Sequence, residues 1–107
     1  MFLLGSYRSR LDIIADILRA VSQNAKKTQI MYQANLSYHV LQKYLSEVSA
    51  ALLIEFNCND QCYVLTDKGK AFLDAYNEYS RDYLYLEKRL NEVKGKKKML
   101  EALCSRK

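Results

Sequence analysis

A mostly helical chain with one small β-hairpin and one long terminal helix, an α+β fold, is what this sequence predicts. Three observations lead there. Several N-cap residues are each followed by apolar residues at helical spacing; two short β-prone runs flank a polar turn; and a heptad pattern holds from Phe72 to Cys104 without a slip. At 107 residues and 50% hydrophobic content the chain has room for one modest core with an appended element. It has no proline and three glycines, which predicts order almost throughout. The early apolar run from Phe2 to Leu4 is too short for a signal peptide or a membrane span, so a soluble, cytoplasmic protein without a membrane partner is expected.

The elements follow in order. Ser9 with Asp12 three residues later reads as a capping box, and Leu11, Ile13, Ile14, Ile17, Leu18 and Val21 give a wide apolar face, so a first helix is expected over about 10–22. Thr28 is the expected N-cap of a short second helix that ends at Ala34 and Asn35. Ser37 is the expected cap of a third, with Leu36 and Leu41 placed as a hydrophobic staple. Small Ala34 allows close approach of the two helices and Asn35 tolerates an unusual backbone conformation, which gives a helix-turn-helix pattern. "LLIEF" (52–56) and "CYVLT" (62–66) make the hairpin, and Thr66 caps a long helix through "DKGKAFL".

Helix, helix-turn-helix, hairpin, helix is the order of a winged helix, in which the third helix enters a DNA major groove and the hairpin lies along the backbone. The chain thus divides into a head, 1–67, and a C-terminal helix, 68–107.

The tail has its own logic. Tyr76, Tyr83, Leu90, Lys97 and Cys104 fall at heptad position a, and Phe72, Tyr79, Leu86, Val93 and Leu100 at d. A helix this long needs a partner helix, and the simplest is a second copy. Gly95 costs about 1 kcal/mol relative to Ala in a helix interior but falls at the outward f position. A helix stopping near Lys94, with "KKKMLEALCSRK" as a separate tail, is the alternative.

Charge is uneven along the chain. The net charge is +5; residues 1–67 hold six basic and six acidic side chains, and residues 68–107 hold eleven and six. Within the tail, residues 70–87 are net acidic and 88–107 strongly basic. An antiparallel pair sets acidic against basic halves, whereas a parallel pair puts the basic halves together.

The segments "AKKTQIMYQANLSYHVLQKYL" and "YVLTDKGKAFL", followed by the heptad tail, resemble the small archaeal winged-helix chromatin proteins often called the ten-a family. The resemblance runs from about Leu11 to the C-terminus. It implies double-stranded DNA as partner, nucleoid association, and dimerisation through an antiparallel coiled coil of the C-terminal helices. The family usually has a glycine where this chain has Gln33.

On this reading the candidate DNA-binding residues lie on two helices. If Val40, Leu41, Tyr44, Leu45 and Val48 face the core, the outer face of the third helix carries Tyr38, His39, Gln42, Lys43 and Ser46, beside the capping Ser37. Gln42 suits adenine, His39 and Lys43 suit guanine edges or phosphate, and Tyr38 stacks or bonds to phosphate. Lys26, Lys27 and Thr28 stand as a phosphate clamp where the second helix begins. The expected dimer interface comprises Tyr76, Tyr79, Tyr83, Leu86, Leu90, Val93, Lys97, Leu100 and Cys104. At the wing tip Asn57, Asn59, Asp60 and Gln61 offer phosphate no cation.

Cys58 and Cys62 bracket three residues, and in a three-residue loop they face each other across the strands. A disulfide and two free thiols are both open readings. No metal site is expected, because Cys104 and the lone His39 are the only further ligands of that kind and lie on other elements. His39 has no partner for a triad, so no catalysis and no cofactor are expected. The competing function is a protein-interaction module in which the winged helix docks on protein; RNA binding is a third.

Overall fold

A computed structural model of the chain describes residues 8–106. The elements are α1 (Arg10–Val21), α2 (Lys27–Gln33), α3 (Tyr38–Ala50), β1 (Ile54–Asn57), β2 (Cys62–Leu65) and α4 (Asp67–Leu103). The fold is a winged helix-turn-helix, mostly α with one antiparallel hairpin and a long C-terminal helix. The Phe2 to Leu4 run lies outside the described residues. Among those described, no helix is long and apolar enough to cross a membrane.

Two compact units emerge, one reaching to Tyr76 and the other beginning at Asn77. The first therefore extends beyond the expected boundary at 67/68. Its core joins all the elements up to that point. From α1 come Ile14, Ile17, Leu18 and Val21; from α2, Ile30; from α3, Leu41, Leu45 and Val48; and Leu53 and Ile54 enter from the wing. Phe72 and Leu73 pack against this core from the first turns of α4. Leu11, expected on the apolar face, is 39% exposed.

Local chemistry explains where the helices begin. The Ser9 hydroxyl accepts from the Asp12 amide at 3.1 Å and the Asp12 carboxylate accepts from the Ser9 amide at 2.9 Å, so the predicted capping box is formed. The Thr66 hydroxyl accepts from the Gly69 amide at 3.0 Å and donates to the Leu52 carbonyl at 2.7 Å, opening α4 while tying it to the start of the wing. Thr28 is not the cap of α2. The helix opens one residue before it, behind Lys26, whose amide donates to the Gln29 side chain at 2.8 Å. Its start is set by a long-range contact, because Ala25 is held in an antiparallel bridge with Tyr63 and the chain is extended up to Lys26.

Both α2 and α3 end in the same way, with a left-handed residue just past the C-cap. At the end of α2, Asn35 has φ 54°. Its amide donates to the Tyr32 carbonyl at 3.2 Å and that of Leu36 to Met31 at 3.1 Å, the paired bonds of a Schellman motif. Leu52 plays the same part after α3, with φ 64° and the Leu52 and Leu53 amides donating to Ser49 and Val48, both at 3.0 Å.

The hairpin register pairs Ile54 with Leu65 and Asn57 with Cys62. Four residues, 58–61, therefore make the turn, with Gln61 at φ 57°. Cys58 lies within this turn and not opposite Cys62. Both thiols are free, and the Cys62 Sγ donates to the Asp60 carbonyl at 3.3 Å. The cross-strand disulfide is thus not formed; the loop is one residue longer than that reading requires.

In the second unit α4 continues through Gly95, whose outward position has nothing within 4 Å, and ends at Leu103. Gly95 does not terminate it. Tyr79, Tyr83, Leu86, Leu90, Val93 and Leu100 are all at least half exposed. Tyr76 departs from that stripe. It belongs to the first unit, is 6% exposed, stacks with Phe72 at 6.5 Å, and donates its hydroxyl proton to Asp12. The heptad is continuous in sequence, but of its first two members Tyr76 is buried and Phe72 half-buried against the head.

Candidate nucleic-acid interface

The face of α3 turned away from the core is set by what the core takes. Leu41, Leu45 and Val48 are buried and Val40 and Tyr44 half-buried, which leaves Tyr38, His39, Gln42, Lys43 and Ser46 exposed, as their spacing predicts. Ser37 caps the helix, its hydroxyl accepting from the Val40 amide at 3.3 Å. Leu36 packs against the core just before it. Leu36 also closes the Schellman motif of α2, so one residue fixes both the exit from α2 and the entry to α3.

The first turns of α2 and α3 are joined through side chains. Lys27 Nζ donates to the Tyr38 hydroxyl at 3.3 Å and sits 4.8 Å from the centre of its ring. That contact orients the ammonium and leaves the tyrosine proton to donate outward. Lys26 and Thr28 are exposed beside it. Lys43 lies 6.0 Å from the Tyr44 ring centre, at the outer limit of a cation–π contact.

Ion pairing decides where the positive charge of the first unit is felt. Arg8 and Arg19 both pair with Asp16, Arg10 with Glu47, and Lys70 with Asp67. The Lys68 ammonium donates to the Ala51 carbonyl at the end of α3. Among the described residues of this unit, Lys26, Lys27 and Lys43 are left without a carboxylate or carbonyl partner, and they stand at the N-cap of α2, in its first turn and on α3. Of the four lysines in this unit without a carboxylate partner, three thus cluster on the helix-turn-helix, and the fourth, Lys68, is directed at the Ala51 carbonyl. The wing from Ile54 to Leu65 has no lysine or arginine, as its sequence implies.

Two features here were not legible in the sequence. Tyr32, on α2, is 79% exposed and falls outside the apolar period. Arg8 reaches across to the turn between α2 and α3, donating to the Ala34 carbonyl at 2.6 Å and to that of Asn35 at 2.9 Å. No local signal marks a contact between residues this far apart.

Comparison with known proteins agrees with the winged-helix fold. Residues 7–83 match the winged helix-turn-helix family. The chain belongs to that family. Over 75 residues it is 36% identical to an uncharacterized protein of Methanocaldococcus jannaschii; the match takes in 69% of this chain and spans about a third (35%) of that relative's length. Among solved structures it is similar to Sso10a-2, a DNA-binding protein from Sulfolobus solfataricus, with TM-score 0.64 and 27% identity over 92% of this chain and 99% of that one. The Lactococcus lactis protein ZitR shares the fold, with TM-score 0.57 and 20% identity over 96% and 81% of the two chains.

Proposed function

We propose that this winged helix-turn-helix protein is a homodimeric, non-enzymatic binder of double-stranded DNA, cytoplasmic and nucleoid-associated, serving as a chromatin component or transcriptional regulator. The observation that carries the reading is the concentration of lysines without a carboxylate partner at the start of α2 and on α3, beside an α3 face made of Tyr38, His39, Gln42 and Lys43. In this reading α3 enters the major groove. Gln42 and His39 meet base edges, while Lys43, Tyr38, Ser37 and the Lys26–Lys27–Thr28 turn hold phosphates. The likeness to Sso10a-2, over nearly the whole of both chains, supports the same partner.

Dimerisation rests on the second unit. A helix with Tyr79, Tyr83, Leu86, Leu90, Val93 and Leu100 at heptad spacing and at least half exposed leaves uncovered an apolar stripe that only Lys97 interrupts. A second copy covers it, with Lys97 and Cys104 completing the seam. The acidic and basic halves of the helix favour an antiparallel arrangement. Two copies carry twice the net +5 of one chain, and two heads add avidity.

The test is duplex-DNA binding across a salt series. Four to eight neutralised phosphates give a log–log slope of about −4 to −7. Lys43→Gln should weaken all sequences alike and reduce the slope, whereas Gln42→Ala should flatten any sequence preference. No duplex binding at low salt, or a slope near zero, favours the protein-interaction module instead.

A further inference from the structure

Arg8 makes three hydrogen bonds with one guanidinium. Besides the Ala34 and Asn35 carbonyls, its Nη1 donates to Asp16 Oδ2 at 2.9 Å, and its side chain is only 19% exposed. Ala34 is the C-cap of α2 and Asn35 is the left-handed residue after it, so these carbonyls belong to the turn that sets the angle between α2 and α3. Asp16 is held in its turn by Arg19, at 2.7 Å, and the Arg19 guanidinium lies 5.5 Å from the centre of the Tyr76 ring. Tyr76 is anchored on Asp12. The turn is thereby braced, through a fixed file of side chains on α1, against the first turns of α4.

From this geometry we infer that Arg8 is a positioning residue for DNA recognition: it touches no nucleic acid, and holds the helix-turn-helix turn in the one conformation that presents α3. The inference rests on the DNA-binding reading above. A guanidinium suits the task because its planar fork engages two successive carbonyls and a carboxylate together, which an ammonium cannot do with the same geometry. Its donors are turned inward to Asp16 and the two carbonyls and its side chain is little exposed, so its removal takes away no phosphate ligand. Without Arg8 the carbonyls of Ala34 and Asn35 turn to water, and other turn conformations become populated. Apparent affinity falls in proportion to the competent fraction that remains.

The experiment compares Arg8→Gln, Arg8→Lys and Asp16→Asn with the unsubstituted chain, in duplex binding over a salt series and in amide hydrogen exchange, well below each variant's Tm. Arg8→Gln should weaken binding roughly tenfold if the competent turn falls to about a tenth of the population, with the salt slope unchanged. Exchange of the Asn35 and Leu36 amides should quicken, while that of the Leu18 amide in α1 stays slow. Arg8→Lys and Asp16→Asn should fall between. A slope reduced by about 0.9 would make Arg8 a phosphate ligand and overturn the inference. So would unchanged affinity and exchange in a variant that merely melts earlier. Should the unsubstituted chain bind no duplex, the functional reading fails by itself; the exchange of Asn35 and Leu36 still decides whether Arg8 holds the turn.

Discussion

Tyr76 donates its hydroxyl proton to Asp12, 64 residues away in the chain, and each group moves the other's ionisation. Burial first, then the hydrogen bond to Asp12 and its charge, push Tyr76 up to about 12 from an ordinary 10.0. Burial acts to raise Asp12 as well, but hydrogen bonds from Tyr76 and Ser9 together outweigh it and leave the carboxyl below its ordinary 3.8. The unfolded phenol ionises near 10 while the folded one keeps its proton to about 12. The stability due to Tyr76 is therefore complete below pH 10 and is lost as the pH rises from there through 12. For Asp12 the contribution is present above the unfolded carboxylate value and disappears as the pH falls through the lower folded one. Urea midpoints measured against pH should show Tyr76→Phe less stable by ~1–2 kcal/mol at neutral pH, with a shallower alkaline decline. Equal alkaline slopes in the two proteins would refute the assignment.

Gly69 is expected to tolerate no side chain. A Cβ built there lies 2.2 Å from the Leu53 carbonyl oxygen and 2.6 Å from Leu65 Cδ1, so α4 crosses the base of the wing at a distance only glycine permits. Backbone cannot yield as a side-chain tip can. Gly69→Ala should destabilise the head by about 3 kcal/mol, read as a fall in Tm, although alanine is the better helix former by about 1 kcal/mol. Gly95→Ala, with open space around it, should instead stabilise α4 by about 1 kcal/mol.

Leu52 gives the opposite case, a side chain where glycine belongs. It occupies the left-handed position after α3 with φ 64° and is 66% exposed, so it bears backbone strain with little burial in return. The neighbouring Leu53 makes the buried contact of that motif. Leu52→Gly should raise stability by ~1 kcal/mol, as an increase in Tm with DNA binding unchanged. A lower Tm would mean that Leu52 makes packing contacts in solution that its exposure does not suggest.

What could be read from the sequence was mostly what is decided within a few residues. The Ser9–Asp12 box, the Ser37 and Thr66 caps and the left-handed Asn35 all depend on neighbours three or four positions away. The start of α2 does not, because the Ala25–Tyr63 bridge sets it and puts the cap at Lys26 and not at Thr28. Periodicity placed Tyr76 on a seam with Tyr83, but period alone cannot tell burial by the head from burial by another chain. At the candidate interface, subtracting the core from α3 found its exposed face. The Lys27–Tyr38 contact and the Arg8 brace depend on how helices cross, which no spacing reveals.

The orientation of the paired helices can be tested through Cys104, which is exposed at the end of α4. In a parallel pair Cys104 lies beside its own copy, within the Cα separation a disulfide requires, and Lys97 faces Lys97. In an antiparallel pair the two thiols stand at opposite ends of the paired segment, roughly 40 Å apart at 1.5 Å per residue. The acidic stretch 70–87 then runs beside the basic stretch 88–107 of the second copy. Cys58 is exposed and Cys62 partly so, and both would confuse the result, so both are first changed to serine. Mild oxidation of Cys58→Ser/Cys62→Ser should leave it a monomer on a non-reducing gel while sedimentation reports a dimer. Rapid and near-complete cross-linking would establish the parallel arrangement. A monomer in sedimentation would remove the coiled coil altogether and, with it, the avidity that the two-headed reading requires.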